Sequence, residues 1–267
     1  MSGRAAGSRS VTTRALTLLS AFDEAHPRLT LSELSRRSGL PLSTAHRLLA
    51  ELEAHHAVER DGDGSYTVGR WIWQLGTLAP VQRELRAVAF APMQDVYQAT
   101  HENVHLAVLA ANRALYIERI HGSTSVSVAT RPGRPLPLHA TGVGKVLLAY
   151  APDEVVRTCL EHLNPVTPYT IVAPERMRRE LAAVRRAGYA RTVEEMTLGT
   201  SAIAVPIFGT DDEVVAALGL VTRSLRRDLV RFVPALRVAS ATITRELLRP
   251  GSTFAAPSAH RKGRVGA

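Results

Sequence analysis

Apolar and polar residues follow two different patterns along the chain, and the pattern changes near Gly69. Before that residue the spacing predicts three short helices and a small hairpin, and after it a mixed run of helices and alternating strands. The first helix is expected from about Thr13 to Ala25, with Leu16, Leu19 and Phe22 on one face. The change of pattern predicts two domains of unequal size.

The second and third helices are separated by a short turn. Thr30-Leu31-Ser32-Glu33 is a capping box, in which the Thr hydroxyl and the Glu carboxylate satisfy backbone amides reciprocally, and it predicts the start of a helix that stops at Gly39. Pro41 suits the first turn of the next helix, which runs to about His55. Two helices joined at a glycine in this way predict a helix-turn-helix.

The third helix divides into an apolar and a polar side. Leu42, Ala45, Leu48, Leu49 and Leu52 fall on one side, and Ser43, His46, Arg47 and Ala50 on the other, with Thr44 and Glu51 at the edges. A helix seated in the major groove of DNA needs this division. An ordinary amphipathic surface helix is the alternative, but the capping box, glycine turn and proline start favour DNA recognition. The predicted DNA-contacting residues are Arg36, Ser43, Thr44, His46, Arg47 and Ala50.

A hairpin follows the third helix. Strands Val58–Arg60 and Tyr66–Val68 flank Asp61-Gly62-Asp63-Gly64, a strong turn signal. The hairpin completes a winged helix-turn-helix domain over residues 12–69. Residues 70–80 are predicted to form a linker helix, and its tryptophans, Trp71 and Trp73, fit either a core or a dimer seam.

The larger part, residues 81–249, mixes both periodicities. Helices are predicted at Val81–Thr100, Thr141–Tyr150, Asp153–His162, Pro174–Ala187 and Asp228–Leu248, and strands at Val104–Leu109, Leu115–Ile120, Ser125–Ala129, Ala202–Ile207 and Val214–Val221. An antiparallel sheet with helices on its faces, an α+β domain, accommodates this order. The ends, residues 1–11 and 250–267, are rich in Gly, Ser, Ala, Pro and Arg, which predicts disorder.

Composition adds little about DNA but bounds the compartment. The net charge is +9, yet residues 1–80 carry nine Arg against eight Asp and Glu, so charge alone does not locate a DNA site. No apolar run reaches the length of a membrane span, and Met1–Ser10 lacks the apolar segment of a signal peptide. The lone Cys159 forms no internal disulfide. A cytoplasmic protein without a cofactor is expected.

Three motifs suggest other chemistry. His101-Glu102-Asn103-Val104-His105 matches the zinc-protease pattern, but that pattern needs a continuous helix, and apolar alternation starts inside it. A zinc-dependent hydrolase using His101, Glu102 and His105 is therefore the alternative function. Gly142-Val143-Gly144-Lys145 lacks the first glycine and the hydroxyl of a phosphate loop. For Glu194-Glu195 a structural role is favoured over acid–base catalysis.

Several stretches together resemble a known family. They are Arg14-Ala15-Leu16, residues 34–49, residues 104–109, residues 185–189 with Glu195, residues 203–207 and, most specifically, Pro135-Leu136-Pro137-Leu138-His139-Ala140-Thr141-Gly142-Val143-Gly144-Lys145. In this order they resemble the IclR family of bacterial transcriptional regulators, from about Arg14 to Arg249.

The resemblance implies a winged helix-turn-helix, a linker helix and a GAF-like effector-binding domain, and no enzymatic activity. The implied function is sequence-specific regulation of transcription, which we expect to be repression, modulated by a small organic acid. The implied partners are a double-stranded DNA operator, that effector and copies of the chain in a homodimer or tetramer, with no membrane partner.

The resemblance also implies where the effector binds. The predicted residues are Val128, Leu136, Gly142, Val143, Gly144, Thr200, Ala202, Gly219 and Val221. Gly142-Val143-Gly144 opens a helix, whose free amides and dipole suit a carboxylate. Members that bind small keto acids tend to carry serines at the positions of Gly219 and Val221. We therefore expect a roomier, less polar site and a larger, partly apolar acid.

Overall fold

A computed structural model describes residues 10–250 except 24, 79, 124, 127, 129, 131 and 225–227. The predicted disordered ends therefore lie almost entirely outside the described residues. Contacts divide the chain into two compact units, residues 1–79 and 80–267. The predicted linker helix, residues 70–80, falls at the end of the first unit.

The first unit is a small helical domain with a three-stranded sheet. Its elements are α1 (Val11–Leu19), β1 (Arg28–Leu29), α2 (Leu31–Ser38), α3 (Leu42–Ala54), β2 (Val58–Arg60), β3 (Tyr66–Val68) and α4 (Arg70–Thr77). The strands are antiparallel in the order β1-β3-β2. The predicted hairpin is β2–β3, and β1, which the sequence did not predict, adds the third strand.

Helix α1 is shorter than expected, and one residue of its predicted face is exposed. The helix ends at Leu19, not near Ala25, and the turn that follows is held by Arg37 Nε, which donates to Ala21 O at 2.8 Å. Of the predicted face, Leu19 and Phe22 pack against the core, whereas Leu16 is 58% exposed.

The turn between α2 and α3 forms as the sequence predicts. Thr30 and Glu33 make both hydrogen bonds of the capping box, and Gly39 ends α2 with a φ of 68°. That left-handed conformation is accessible to glycine at little cost, which lets the chain reverse into α3 within three residues. At the tip of the hairpin, Arg28 Nη2 lies 3.0 Å from Asp61 and 2.8 Å from Asp63.

The second unit contains a six-stranded sheet with helices. Its elements are α5 (Pro80–Thr100), β4 (Asn103–Ala110), β5 (Arg113–Ile120), β6 (Pro135–Leu136), α6 (Gly142–Ala149), α7 (Asp153–Glu161), α8 (Pro174–Ala187), β7 (Ala190–Val193), β8 (Thr200–Phe208), β9 (Val214–Arg223) and α9 (Val233–Leu247). The strand order is β6-β5-β4-β9-β8-β7, and each recorded pair is antiparallel. This is the predicted α+β fold.

Both faces of the sheet are covered. Leu106, Leu218 and Ile203 point to one face, into a core shared with α5 and α9. Ala107, Ala217 and Ala204 point to the other face, into a second core under α6 and α8. Small side chains on the second face let α6 approach the sheet closely.

The structure corrects some predicted boundaries. The described residues of the predicted strand Ser125–Ala129 are not in a strand, and residues 127 and 129 are not among the described residues. The edge of the sheet beside β5 is formed by β6 instead. Strand β7 was not predicted, because it has only four residues and its two polar residues, Arg191 and Thr192, are adjacent, so polar and apolar residues do not alternate. The last helix begins at Val233, after a 3₁₀ turn at Val230–Phe232, not at Asp228.

No described helix combines the length and apolar character that a membrane crossing requires.

Candidate functional site

Helix α3 presents a polar face to solvent, as its pattern predicts. Ser43, His46, Arg47 and Ala50 are exposed and Thr44 is half-buried, while Ala45, Leu48 and Leu49 are buried against α1 and α2. Leu42, which was assigned to the apolar side, is 51% exposed, so the buried stripe starts at Ala45. The exposed face carries the short polar groups and the guanidinium that base edges in a major groove accept.

Two arginines near this face have different environments. Arg47 projects from α3 with its nearest carboxylate, Glu51, 3.6 Å away and one helical turn on. Arg36 on α2 is exposed, whereas its neighbour Arg37 is engaged with Asp23 and the carbonyl of Ala21. Arg36 and Arg47 are therefore placed for an outside partner, and Arg37 holds the domain together.

The second unit contains a cavity between the sheet and the start of α6. It encloses about 460 Å³ of empty volume, including space open to solvent. The lining comes from β4, β5, β7, β8 and β9, from the first turn of α6 and from the segments that follow β5 and β7.

Most residues predicted from the family resemblance meet in this cavity. The lining includes Gly142 and Val143 from α6, Thr200 and Ala202 from β8, Gly219 and Val221 from β9, and Val128. The strand register explains the strand part, because Ala202 pairs with Val221 and Ala204 with Gly219. Directly paired residues point to the same face of a sheet.

Two predicted residues lie outside the cavity. Leu136 is packed into the core under α6 and α8. Gly144 is buried, and its amide donates to Thr141 Oγ1 at 3.1 Å, so it is not available to a carboxylate. Thr141 is the N-cap of α6, and N-cap hydroxyls ordinarily take the amide of the third residue.

The expected extra room at Gly219 is already filled. A methyl group added at Gly219 would lie 2.7 Å from Val143 Cγ1, well inside contact distance. The missing side chain therefore makes room for Val143 of α6. At Gly142 an added methyl group would lie 3.3 Å from Ala202 Cβ. Small residues on both surfaces allow α6 to lie close to β8 and β9.

The cavity is more polar than the sequence predicted. His105, Tyr116, Thr130 and Thr192 also line it, and His105 Nε2 lies 3.0 Å from Thr130 Oγ1. Burial lowers the pKa of His105 to about 3, so its ring is neutral at neutral pH. A signal for this residue was present, because His105 alternates with Ala107 on a strand whose other face is apolar.

A buried ion pair closes one side of the cavity. Lys145 is fully buried, with Nζ 2.7 Å from Glu195 Oε1 and 3.5 Å from Glu180 Oε1. Glu195 lines the cavity. This pair supports the structural role expected for Glu195, but Glu195 also lines the cavity in which a ligand would lie.

The zinc-protease pattern is not a metal site. His101 lies in a turn with a φ of 54°, and His105 lies on β4, so the two rings do not share a helix face. Among the described residues, no group of three or more His, Cys, Asp or Glu side chains could hold a metal ion. The hydrolase alternative has no support in this geometry.

A winged helix-turn-helix with an exposed polar recognition helix, followed in the chain by a unit with a cavity between its sheet and a helix, is the organisation of a DNA-binding transcriptional regulator. The comparisons with known proteins agree. The model of the IclR helix-turn-helix domain matches residues 11–62, and that of the bacterial transcriptional regulator IclR C-terminal matches residues 78–245. The chain belongs to the IclR family, whose members here are regulators and not enzymes.

Curated relatives and solved structures cover nearly the same span. The regulator XynR of Escherichia coli is 32% identical over 89% of this chain and 96% of its own length, and the transcriptional repressor IclR of the same organism is 31% identical over 78% of each. The crystal structure of an IclR homolog from Microbacterium hydrocarbonoxydans, complexed with 4-hydroxybenzoate, is 35% identical, covers 89% of this chain and 99% of its own, and superposes with a TM-score of 0.84.

Proposed function

We propose that this chain is a repressor whose affinity for its operator is lowered by a small organic acid bound in the cavity under α6. The observation that carries the proposal is the start of that helix. The first amides of a helix have no partner within it. Gly144 donates to Thr141 Oγ1 and Lys145 to Thr141 O, which leaves the amides of Gly142 and Val143 at the cavity.

The charges that line the cavity favour binding of the ligand's carboxylate at the start of α6 and not in another part of the cavity. Among the described lining residues no Lys or Arg appears, His105 is neutral, and the charge of Glu195 is balanced by its ion pair with Lys145. The positive end of the α6 dipole is therefore the favourable place for an anion. Val128, Ala202 and Val221 supply apolar surface for the rest of the molecule. A small aromatic acid fits this division, and the 35%-identical homolog is complexed with 4-hydroxybenzoate.

The DNA-reading surface is the exposed face of α3 with Arg36. Ser43, Thr44, His46, Arg47 and Ala50 are placed to meet base edges and backbone, and the β2–β3 wing stands beside them in the same unit. Relatives include proteins named as repressors, IclR of Escherichia coli and the acetate operon repressor of Salmonella typhimurium. We assign repression on this basis, exerted on DNA in the cytoplasm.

The working form is an oligomer, a homodimer or tetramer. A single small reading unit binds DNA too weakly for tight specific control, and a two-fold dimer reads a pseudo-palindrome. Helix α4 supports the proposal, because Trp73 is 69% exposed and Trp71 and Leu75 are also exposed on it. Light scattering should return at least twice the chain mass of 28.9 kDa, and a monomer at micromolar concentration would contradict it.

Calorimetry on the full chain tests the effector site. Benzoate and 4-hydroxybenzoate serve as probes, against wild type and Val221→Phe. Val221 is half-buried on β9, so a phenyl group there fills the cavity without entering the core. Val143 is a poorer choice, since it is nearly buried against Gly219. Wild type should bind the acids and the variant should not. Equal binding by both proteins would move the site elsewhere.

A further inference from the structure

One carboxylate oxygen of Glu195, a residue that lines the cavity, has no hydrogen-bond partner among the described residues. Glu195 is 7% exposed, and its Oε1 accepts from Lys145 Nζ at 2.7 Å. Its other oxygen, Oε2, is buried and makes no hydrogen bond to any of the described residues. Buried polar atoms are nearly always paired in folded proteins, so an orphan of this kind calls for a partner from outside.

Hydrogen bonds to the backbone and to one carboxylate oxygen hold Glu195 in position. The Thr170 hydroxyl donates to the Glu195 carbonyl at 2.7 Å, and the Thr167 hydroxyl donates to the carbonyl of Glu194. Lys145, itself fully buried on α6, holds Oε1. Backbone and side chain are thus both anchored, which leaves Oε2 as the part of Glu195 that can meet a ligand in the cavity it lines.

We infer that Glu195 reads a hydroxyl group on the effector, so that the site selects hydroxylated acids over the same acids without the hydroxyl. This inference rests on the proposed function and names the ligand class of that site. The carboxylate of the ligand lies at the amides of Gly142 and Val143, and its hydroxyl meets Glu195 Oε2.

The selectivity depends on whether the bound ligand gives Glu195 Oε2 a hydrogen-bond partner. A ligand hydroxyl at Oε2 supplies the hydrogen bond that this oxygen lacks. A ligand without the hydroxyl leaves the buried carboxyl oxygen unpaired, and sites built to bind a hydroxyl reject analogues lacking it for this reason. Burial raises the pKa of Glu195, and Lys145 together with the nearby backbone amide of Ile171 opposes the rise. A hydroxyl suits either state, because it donates to a carboxylate and accepts from a carboxylic acid.

A matched set of acids tests the inference on the wild-type chain. Benzoate, 3-hydroxybenzoate and 4-hydroxybenzoate share the carboxylate and ring and differ in the hydroxyl. Calorimetry should show at least one hydroxybenzoate binding about tenfold or more tighter than benzoate, since hydrogen bonds to charged groups have that magnitude. If all three bind equally, the effector site stands and the role of Glu195 is overturned. If none binds, the proposed function falls, and this inference with it.

Two carboxylates around one lysine provide the matched variants. Glu195→Gln removes the charge that lines the cavity, and Glu180→Gln removes the charge of the other Lys145 partner, which does not line it. The preference for the hydroxylated acid should fall severalfold in Glu195→Gln and stay at the wild-type value in Glu180→Gln. Preference retained in Glu195→Gln, or lost equally in both, would overturn the inference.

A second variant covers the possibility that Glu195→Gln does not fold. Removing one member of a buried ion pair leaves the other charge uncompensated, whereas replacing both by apolar side chains of similar volume is often tolerated. Lys145→Met combined with Glu195→Met should fold and bind benzoate, with no preference for its hydroxylated forms. Wild-type preference in the double variant would contradict the inference.

Discussion

The two functional surfaces of this regulator differ in what else their residues do. On α3, the side chains that would read DNA project into solvent, and the fold does not depend on them. In the cavity, the residues that would hold an effector also pack the protein. Val143 fills the space over Gly219, Thr141 caps α6, and Glu195 compensates a buried lysine.

This difference between exposed and packed residues explains why the sequence indicates one functional surface more directly than the other. A surface residue can be chosen for its partner alone, so its chemistry stands out against a regular helical pattern. A cavity residue is chosen for packing and for binding together, so its identity follows from contacts that are distant in sequence. Substitutions should therefore separate binding from stability on α3 and combine them in the cavity.

The largest expected effect is at Gly144. A methyl group there would overlap the carbonyl of Leu138 and the hydroxyl of Thr141, so Gly144→Ala should destabilise the fold by about 2–3 kcal/mol in urea unfolding. Gly76→Ala is the matched control, since it has open space around it in α4 and should gain up to about 1 kcal/mol. Equal changes in the free energy of unfolding at the two glycines would contradict the close packing of α6 around Gly144.

The next effect tests the exposed surface. Arg47→Ala should weaken binding to an operator fragment selected by the protein from random DNA by about 1–3 kcal/mol, because one arginine contact to a base edge has that magnitude. Unfolding should be unchanged, since Arg47 has no buried partner. Arg178→Ala, an exposed arginine on α8, serves as the control in gel-shift titrations at fixed salt. Operator affinity equal to wild type would exclude Arg47 from the reading surface.

His105 should make stability depend on acid. The unfolded histidine takes up a proton below its ordinary pKa of 6.5, but the buried ring does so only near pH 3. The folded state therefore loses stability as the pH falls through this window, by about 1.4 kcal/mol between pH 7.5 and 5.5. Urea unfolding of His105→Gln should lack this increment, and His162→Gln, an exposed site, should keep it. An unchanged slope in His105→Gln would show that the ring is not buried neutral.

The smallest effect comes from the neighbour of Arg47. Glu51 lies one turn along α3 and within 3.6 Å of the guanidinium, where it competes with DNA. Glu51→Gln should raise operator affinity by no more than about 0.5 kcal/mol, the size of an exposed ion pair on a helix. A fall in affinity would mean that Glu51 positions Arg47 for DNA.

The sequence predicts the first unit better than the second for physical reasons. The capping box at Thr30, the turn at Gly39 and the period of α3 are local signals, and they correctly predict the turn between the helices and the exposed polar face of α3. Only Leu16 and Leu42 were assigned to the wrong surface, because the period sets the face of a helix less sharply near its ends.

In the second unit, local pattern found the long elements and missed β6 and β7, which are too short to show alternation. The cavity could be placed only through the family resemblance. That His105 joins it depends on the pairing of β4 with β9, and that Glu195 joins it depends on a lysine fifty residues earlier in the chain. The alternation along β4 indicates only which face of the sheet His105 occupies, and the contact between Lys145 and Glu195 leaves no local signal in the sequence.

The central claim is that an acid in the cavity under α6 controls binding of DNA by α3. The direct test is the fluorescence anisotropy of a labelled operator fragment, titrated with full-length protein with and without saturating 4-hydroxybenzoate. Wild type should lose at least about fivefold in operator affinity when the acid is present, a typical coupling between two sites. Val221→Phe should bind the operator equally with and without it. Identical wild-type titrations in the two conditions would contradict the account.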